Sequence, residues 1–317
     1  MPPKATGPGE GELLTVRDWL RFAVTSFNRA KLSYGHGTAT ALDEAAFLIL
    51  SVLDLPVDCL EPWLDCRLTL AERAAVAAII AARVETRKPA PYLTHSAWIQ
   101  GHKFYVDERV IVPRSFIGEL LCRDGLAAAV GPEQAIARVL DLCTGSGCLA
   151  ILAALNFRQA TVDASDLSDG AIEVAGRNVA DYRLDARVTL YKADLFAGLP
   201  PAHYDLIISN PPYVTAAAVA AFPPEYQAEP ELAHLGGRDG LDLVHRILEA
   251  APRYLAVDGT LVVEIGDGRE ALEAARPDLP FIWLDTETSD GEVFMLTAAD
   301  LKAVTAPKSH PKIVKSA

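Results

Sequence analysis

What most constrains this chain is an alternation that begins near residue 139. The short apolar runs Val139–Cys143, Thr161–Asp166, Val188–Ala193, Asp205–Ser209 and Thr260–Ile265 each end in a loop, and helical patterns over Leu149–Leu155, Ala171–Ala180 and Leu241–Tyr254 lie between several of them. Apolar strands separated by helices belong to a parallel sheet with helices on both faces, since a parallel crossover needs a connection of helical length. Phe281–Leu284 and Val293–Thr297 add two more strands, expected as an antiparallel edge pair. In an open sheet of this kind ligands bind outside the carboxyl ends of the strands, so the loops that follow the apolar runs are where chemistry is expected.

Ahead of the alternation the pattern is helical. Thr15 with Asp18 opens a helix that carries Val16, Trp19, Leu20, Ala23, Val24 and Phe27 at helical spacing. Leu42, Ala45, Ala46, Ile49, Leu50 and Leu53 form a second stripe that stops before Pro56, and a capping box of Thr69 and Glu72 opens a third helix that Pro89 ends. Ala97–Val106 reads as a hairpin with Gly101 at its centre, leading through Asp107–Pro113 into a helix near Ile117–Ala129. The expected division is a disordered segment over 1–11, a helical domain over 12–95, a hairpin linker over 96–113, an α/β domain over 114–303 and a flexible basic tail over 304–317.

The loop Asp141-Leu142-Cys143-Thr144-Gly145-Ser146-Gly147 follows the first strand directly and opens a helix. Its glycines allow a sharp turn and close backbone approach to a ligand, and with Ala150 it fits the dinucleotide-type spacing G-x-G-x-x-A. A match of that kind alone is weak. Asp166 ends the second strand, where a carboxylate can accept both ribose hydroxyls. Asp194 ends the third, where an acid can reach an adenine amino group while the Leu195 backbone lines the base. Three polar signals at three successive strand ends point to an adenosine-containing cofactor, NAD or S-adenosylmethionine.

The fourth strand decides between them. It ends in Asn210-Pro211-Pro212-Tyr213. Two prolines lock φ and remove two backbone donors, which makes the loop rigid. The Pro211 carbonyl and the Asn210 side-chain carbonyl are convergent acceptors suited to a planar NH2 group, and Tyr213 can stack on the flat group that bears it. A hydride-transfer enzyme has no need of such a pair.

This combination resembles the amino-methyltransferases of the S-adenosylmethionine-dependent class, which act on adenine or on glutamine. Phe104–Ser115, the glycine loop, the Asn-Pro-Pro-Tyr corner, Glu225-Tyr226, Glu229-Pro230-Glu231-Leu232 and Asp239-Gly240-Leu241 together resemble the protein-glutamine N5-methyltransferase family over almost the whole chain. The resemblance implies a seven-stranded Rossmann-like class I methyltransferase domain joined by a β-hairpin to a small helical domain. It implies S-adenosyl-L-methionine as cofactor and S-adenosyl-L-homocysteine as product. Carried over by position, Asn210 and Pro211 are catalytic and Asn210 to Tyr213 hold the substrate amide. Asp141, Cys143, Thr144, Gly145, Ser146, Gly147, Asp166, Asp194, Leu195 and Asn210 face the cofactor, and no metal is implied. Cys143 departs from the glycine common in relatives. Val112-Pro113-Arg114-Ser115 has the form typical of family members that modify large-subunit ribosomal protein L-three, whereas the release-factor enzymes usually carry Pro-Arg-Pro.

Composition narrows the alternatives. With 29 basic and 42 acidic residues the net charge is −13, which disfavours a nucleic-acid adenine methyltransferase and complements a basic ribosomal protein. A non-catalytic scaffold would have no need of an intact Asn210, Asp166 and glycine loop. The N-terminus is polar, no apolar run reaches membrane-spanning length, and the five cysteines show no CxxC spacing. A cytoplasmic enzyme with reduced, buried thiols is expected, with no direct need for membrane or nucleic acid and with Cys148 and Trp98 in the core.

Overall fold

The computed structural model describes residues 11–123, 126, 130 and 136–305. The segments expected as a disordered start, as the end of the helix after Ile117 and as a basic tail fall wholly or largely outside them. The chain divides into two compact units. The first runs to Arg114 and includes Ala220–Ala233, and the second comprises Ser115–Val219 and the chain from His234 onward. The hairpin thus belongs to the helical unit rather than standing as a linker, and a stretch of chain beyond the Asn-Pro-Pro-Tyr corner belongs there too.

In the first unit, α1 (Val16–Ala30) starts at a capping box: the Asp18 N–H donates to Thr15 Oγ1 at 3.2 Å, and the Thr15 N–H donates to the Asp18 carboxylate at 2.9 Å. Thr69 and Glu72 do the same for α3 (Leu70–Thr86). Between them, α2 (Ala41–Val52) buries Ala41, Ala45, Leu48 and Ile49, a stripe at i, i+4, i+7 and i+8. Leu42, expected on that stripe, lies one position off it and is 51% exposed. A short α4 (Ala90–Thr94), not foreseen from the sequence, precedes the hairpin β1 (Ala97–Ile99) and β2 (His102–Phe104). An isolated hairpin buries one face. Ala97, Ile99 and Phe104 take it, leaving Trp98, expected in the core, 41% exposed.

Two glutamates fix the returning segment within this unit. The Glu225 carboxylate is fully buried against Arg87 at 2.6 Å and accepts the Ser33 N–H at 3.1 Å. Glu229 receives Arg114 through both terminal nitrogens, at 2.8 and 2.7 Å, and the Val112 N–H at 2.9 Å. Planar bidentate pairing joins two stretches of the family motif that lie 115 residues apart.

The second unit is built on β3 (Arg138–Leu142), β4 (Thr161–Asp166), β5 (Val188–Lys192), β6 (Tyr204–Ser209), β7 (Leu255–Glu264), β8 (Ile282–Leu284) and β9 (Val293–Thr297), in the order β5-β4-β3-β6-β7-β9-β8. The first five are mutually parallel, while β9 runs antiparallel to both β7 and β8. The pair expected at the edge therefore places β9 inside the sheet and only β8 at its rim. Among the described residues its α-helices are α5 (Phe116–Cys122), α6 (Cys148–Asn156), α7 (Asp169–Asp181), α8 (Ala216–Ala220), α9 (Asp242–Ala250), α10 (Arg269–Ala275) and α11 (Ala298–Thr305). The helix expected over Leu241–Tyr254 stops at Ala250 and tightens into a 3-10 turn over Ala251–Arg253, where Pro252 supplies no N–H. The following strand begins at Leu255 rather than Thr260. All five cysteines are free, but only Cys148 is buried, and Cys59 and Cys66 are exposed, contrary to the expectation of buried thiols.

Candidate active site

The strand order reverses beside β3, whose neighbours are β4 on one side and β6 on the other. At such a switch point the loops leaving adjacent strands part and open a crevice. The register brings the candidate residues to one edge of the sheet. Leu142 is opposite Ser165 on one side and Ser209 on the other, and Ser209 is opposite Val263. Cys143, Asp166, Asn210 and Glu264 therefore stand at the carboxyl ends of four neighbouring strands. The Ser209 hydroxyl donates to the Leu142 carbonyl at 2.9 Å, tying the ends of β3 and β6 together.

Hydrogen bonds hold the glycine loop. The Thr144 N–H donates to the Ser165 carbonyl at 2.9 Å, and the Gly147 N–H closes back on the Thr144 carbonyl at 2.9 Å. Gly147 opens α6 at φ +80°, a conformation that favours glycine, and a methyl group there would crowd the Ala175 Cβ of α7 at 3.1 Å. A methyl group on Gly145 would meet no atom within 4 Å, which leaves open space beside the loop backbone. The Ser146 side chain is buried, and its carbonyl accepts from the Asn178 amide at 2.8 Å. Cys143 takes the left-handed region at φ +59° and Leu195 at φ +54°, conformations disfavoured for side-chain-bearing residues and tolerated where surrounding structure imposes them.

The acids differ in setting. Asp141 has no exposed surface: one carboxylate oxygen accepts from the Thr144 hydroxyl at 2.5 Å and the Ala150 N–H at 3.0 Å, while the other is buried without a partner. Burial raises its pKa to about 7 against the pull of those bonds. Asp166 accepts the Gly145 N–H on one oxygen and the Ser168 N–H on the other, each at 2.9 Å. Burial raises its pKa as well, opposed by the backbone N–H groups of Ser168, Gly145 and Leu167. Ser168, not Asp166, caps α7 with its side chain, so the carboxylate keeps lone pairs for a ligand. Asp194 is half-exposed and pairs with Arg246 of α9 at 2.8 Å. Beside it lies a cavity of about 610 Å³ lined by Asp194, Leu195, Phe196, Arg246 and Tyr254, among others. It reaches the expected adenine side of the site but not the glycine loop or Asn210.

At the corner, Pro211 is buried, while Asn210, Pro212 and Tyr213 are half-buried. The chain beyond it is held within the unit, with the Val214 N–H donating to the His234 carbonyl and the Gly236 N–H to the Val214 carbonyl, both at 2.9 Å. Sequence reasoning did not single out Leu167, which directly follows Asp166 and is 50% exposed, nor Arg246. A large apolar residue next to a strand-terminal acid was a readable signal for the first. Nothing in the sequence links Arg246 to Asp194, because their meeting depends on how α9 packs.

These residues suit S-adenosylmethionine. An orphaned buried acceptor on Asp141, a two-oxygen acid at Asp166, open backbone at Gly145 and three carboxylates along one edge suit a cationic adenosine ligand. The methyltransferase small domain model matches residues 126–222, from ahead of β3 to beyond the corner. The chain is 55% identical over 304 residues to a ribosomal protein uL3 glutamine methyltransferase of Bradyrhizobium diazoefficiens, covering 94% of this chain and 95% of that protein. The chain belongs to the ribosomal protein uL3 glutamine methyltransferase family. A member from Burkholderia pseudomallei is likewise 55% identical, over 92% of this chain and 96% of its own length. Among solved structures, a 16S rRNA N2 G1207 methyltransferase of T. thermophilus, in complex with AdoMet and guanosine, is 19% identical, with a TM-score of 0.43, over 64% of this chain and 48% of that one. As a member of the family, the chain is an S-adenosylmethionine-dependent methyltransferase.

Proposed function

We propose that this enzyme methylates the side-chain amide nitrogen (N5) of a glutamine in large-subunit ribosomal protein uL3 (L-three). The observation that carries the reading is the pairing of Leu142 with Ser209, which makes the cofactor loop and the Asn210 corner leave the sheet as neighbours. The relatives' substrate, uL3, supports the same reading.

In this assignment Asp166 accepts the ribose hydroxyls, Asp194 and the Leu195 backbone meet the adenine, and Leu167 covers a face of the base. The unpartnered oxygen of Asp141 takes the ammonium of the methionine portion. Cys143, Thr144, Gly145, Ser146 and Gly147 act mainly through their backbone, and Asn210 closes the cofactor side of the site. The cofactor supplies a methyl group already activated on a sulfonium.

The protein's task is the nitrogen. An amide lone pair is delocalised into its carbonyl, a resonance reflected in a rotation barrier of about 18–20 kcal/mol. Asn210 and the Pro211 carbonyl each accept one N–H of the glutamine amide. As positive charge grows on those hydrogens the two bonds strengthen, so the acceptors favour the transition state over the bound ground state. Pro212 keeps the acceptors from swinging away, and Tyr213 supports the flat carboxamide. As the S–CH3 bond breaks, S-adenosyl-L-homocysteine would leave as a neutral thioether, and the methylated nitrogen would release its acidic proton to water, so no base is needed beforehand. A ribosomal protein as substrate supports a cytoplasmic location for the enzyme. Among the described residues no helix is long and apolar enough to cross a membrane.

The test offers labelled S-adenosylmethionine with unmodified uL3, a peptide-chain release factor and DNA, and maps the label by mass. Label on one glutamine of uL3 is expected. Preferential label on the release factor would reassign the substrate, and label on adenine N6 would overturn the amide reading.

A further inference from the structure

We propose that Gly266 is a positioning residue for the substrate amide: its bare backbone is the floor on which the Tyr213 ring rests, and it thereby sets the slot that the amide enters. The inference depends on the assignment of Tyr213 to the amide given above. Gly266 follows the end of β7 at φ +53°, and a methyl group on it would lie 2.7 Å from Tyr213 Cε2, 3.1 Å from Cδ2 and 3.2 Å from Cζ. Carbon atoms do not approach to 2.7 Å without bonding, so any side chain here displaces the ring.

Two further glycines close on the backbone of the same tyrosine. A methyl on Gly236 would stand 2.6 Å from the Tyr213 Cα and 2.8 Å from the Pro212 carbonyl oxygen, and one on Gly240 would stand 2.3 Å from the Tyr213 carbonyl oxygen. The residue is thus held by close approach at its ring and on its main chain, from segments 23 and more positions away in sequence.

The floor itself is fixed. The Glu264 carboxylate accepts the Ser115 hydroxyl at 2.6 Å and the Phe116 N–H at 2.9 Å. The Ile265 N–H donates to the Glu292 carbonyl at 2.9 Å, and the Gly268 N–H to the Ile265 carbonyl at 3.2 Å. A wall bonded on both sides of Gly266 resists retreat, so added volume displaces the ring and changes the slot proposed for the amide. Asn210 and the cofactor loop, on other strands, stay where they are.

The experiment compares Gly266→Ala, Gly266→Asn, Tyr213→Ala and Gly266→Ala/Tyr213→Ala in methyl transfer to uL3 and in S-adenosylmethionine binding by calorimetry. Asparagine tolerates positive φ better than alanine, so it separates backbone strain from the added Cβ. Both Gly266 variants are expected to bind cofactor within about twofold of wild type and to lose about a hundredfold in kcat/KM, the scale of a misplacement near 1 Å. With Tyr213 already truncated, Gly266→Ala is expected to cost less than about twofold more, the mark of coupled neighbours. Wild-type transfer by Gly266→Ala, losses that multiply in the double variant, or full activity of Gly266→Asn would each overturn the inference. Should Gly266→Ala fail to fold, melting decides: recovery in the double variant supports the contact, and failure there overturns it. Wild-type transfer by Tyr213→Ala would instead overturn the parent assignment, while an inactive Tyr213→Ala beside a fully active Gly266→Ala overturns this inference alone.

Discussion

The two halves of the active edge, the glycine loop after β3 and the Asn-Pro-Pro-Tyr corner after β6, are held by different physics. The loop is a hydrogen-bonded object: Thr144, Gly145 and Gly147 each donate a backbone N–H within the loop or to the neighbouring strand end, and Asp141 and Asp166 collect donors from it. The corner gains its rigidity from two prolines and from Gly266, Gly236 and Gly240, whose lack of a side chain lets their segments come into close contact with Tyr213. Hydrogen bonds can be weakened one at a time and respond to protonation. A close steric contact carries no proton of its own, and it fails when volume is added. The contrast fits the roles proposed for the two segments, a cofactor that enters and leaves and two acceptors that hold one angle toward an amide.

The sharpest break in this comparison is Asn210→Ala. Loss of one preorganised partner of a developing charge typically costs 10²–10³ in rate, so transfer should fall by about a thousandfold while S-adenosylmethionine binding stays within about threefold. Single-turnover labelling and calorimetry measure the two, and near-normal turnover would remove Asn210 from the mechanism. A smaller loss is expected on the loop side from Asp166→Ala, which takes away the ribose acceptor together with the acceptor of the Gly145 and Ser168 N–H groups. Cofactor affinity should fall by about tenfold to a hundredfold, on the scale of a hydrogen bond to a charged group. The turnover of the saturated enzyme should change much less, and an unchanged dissociation constant would contradict the assignment.

The smallest effect is on pH dependence. Burial raises Asp141 and Glu264 to about 7, above the ordinary carboxylate range. The folded protein therefore holds protons that the unfolded chain has released, and the contribution of these groups to stability is fully present below their unfolded values near 4 and is lost as pH rises through about 7. Urea unfolding between pH 5 and pH 8 should show this decline, and Asp141→Asn with Glu264→Gln should flatten it. A decline of the same slope in the double variant would assign the effect to other groups. The cofactor-bound enzyme sharpens the comparison: a cation against Asp141 lowers its pKa, so affinity for S-adenosylmethionine should rise from pH 6 to pH 8 in wild type and stay level in Asp141→Asn.

Much of this was legible locally. Thr15 with Asp18 and Thr69 with Glu72 announce their helices because a capping box is satisfied within four residues. The central strands are legible because a strand buried on both faces is predominantly apolar. The glycine loop, Asp166 and the Asn-Pro-Pro-Tyr corner each sit directly after a strand and carry their chemistry in a few consecutive residues. Departures came where one local pattern served two outcomes. Trp98 has the composition of a core residue yet lies on the open face of a two-stranded hairpin, and Leu42 misses its helical stripe by one position.

The sequence alone determined most of the element types, the acids at the strand ends and the rigidity of the Asn-Pro-Pro-Tyr corner, since each follows from backbone restriction and side-chain chemistry over a handful of neighbouring residues. Only the tertiary structure decided that β9 enters the sheet ahead of β8, that Ala220–Ala233 joins the helical unit through Glu225 and Glu229, and that Gly266 lies beneath the Tyr213 ring. Those outcomes depend on contacts between segments far apart along the chain, where burial and excluded volume choose among arrangements that local propensity leaves equal.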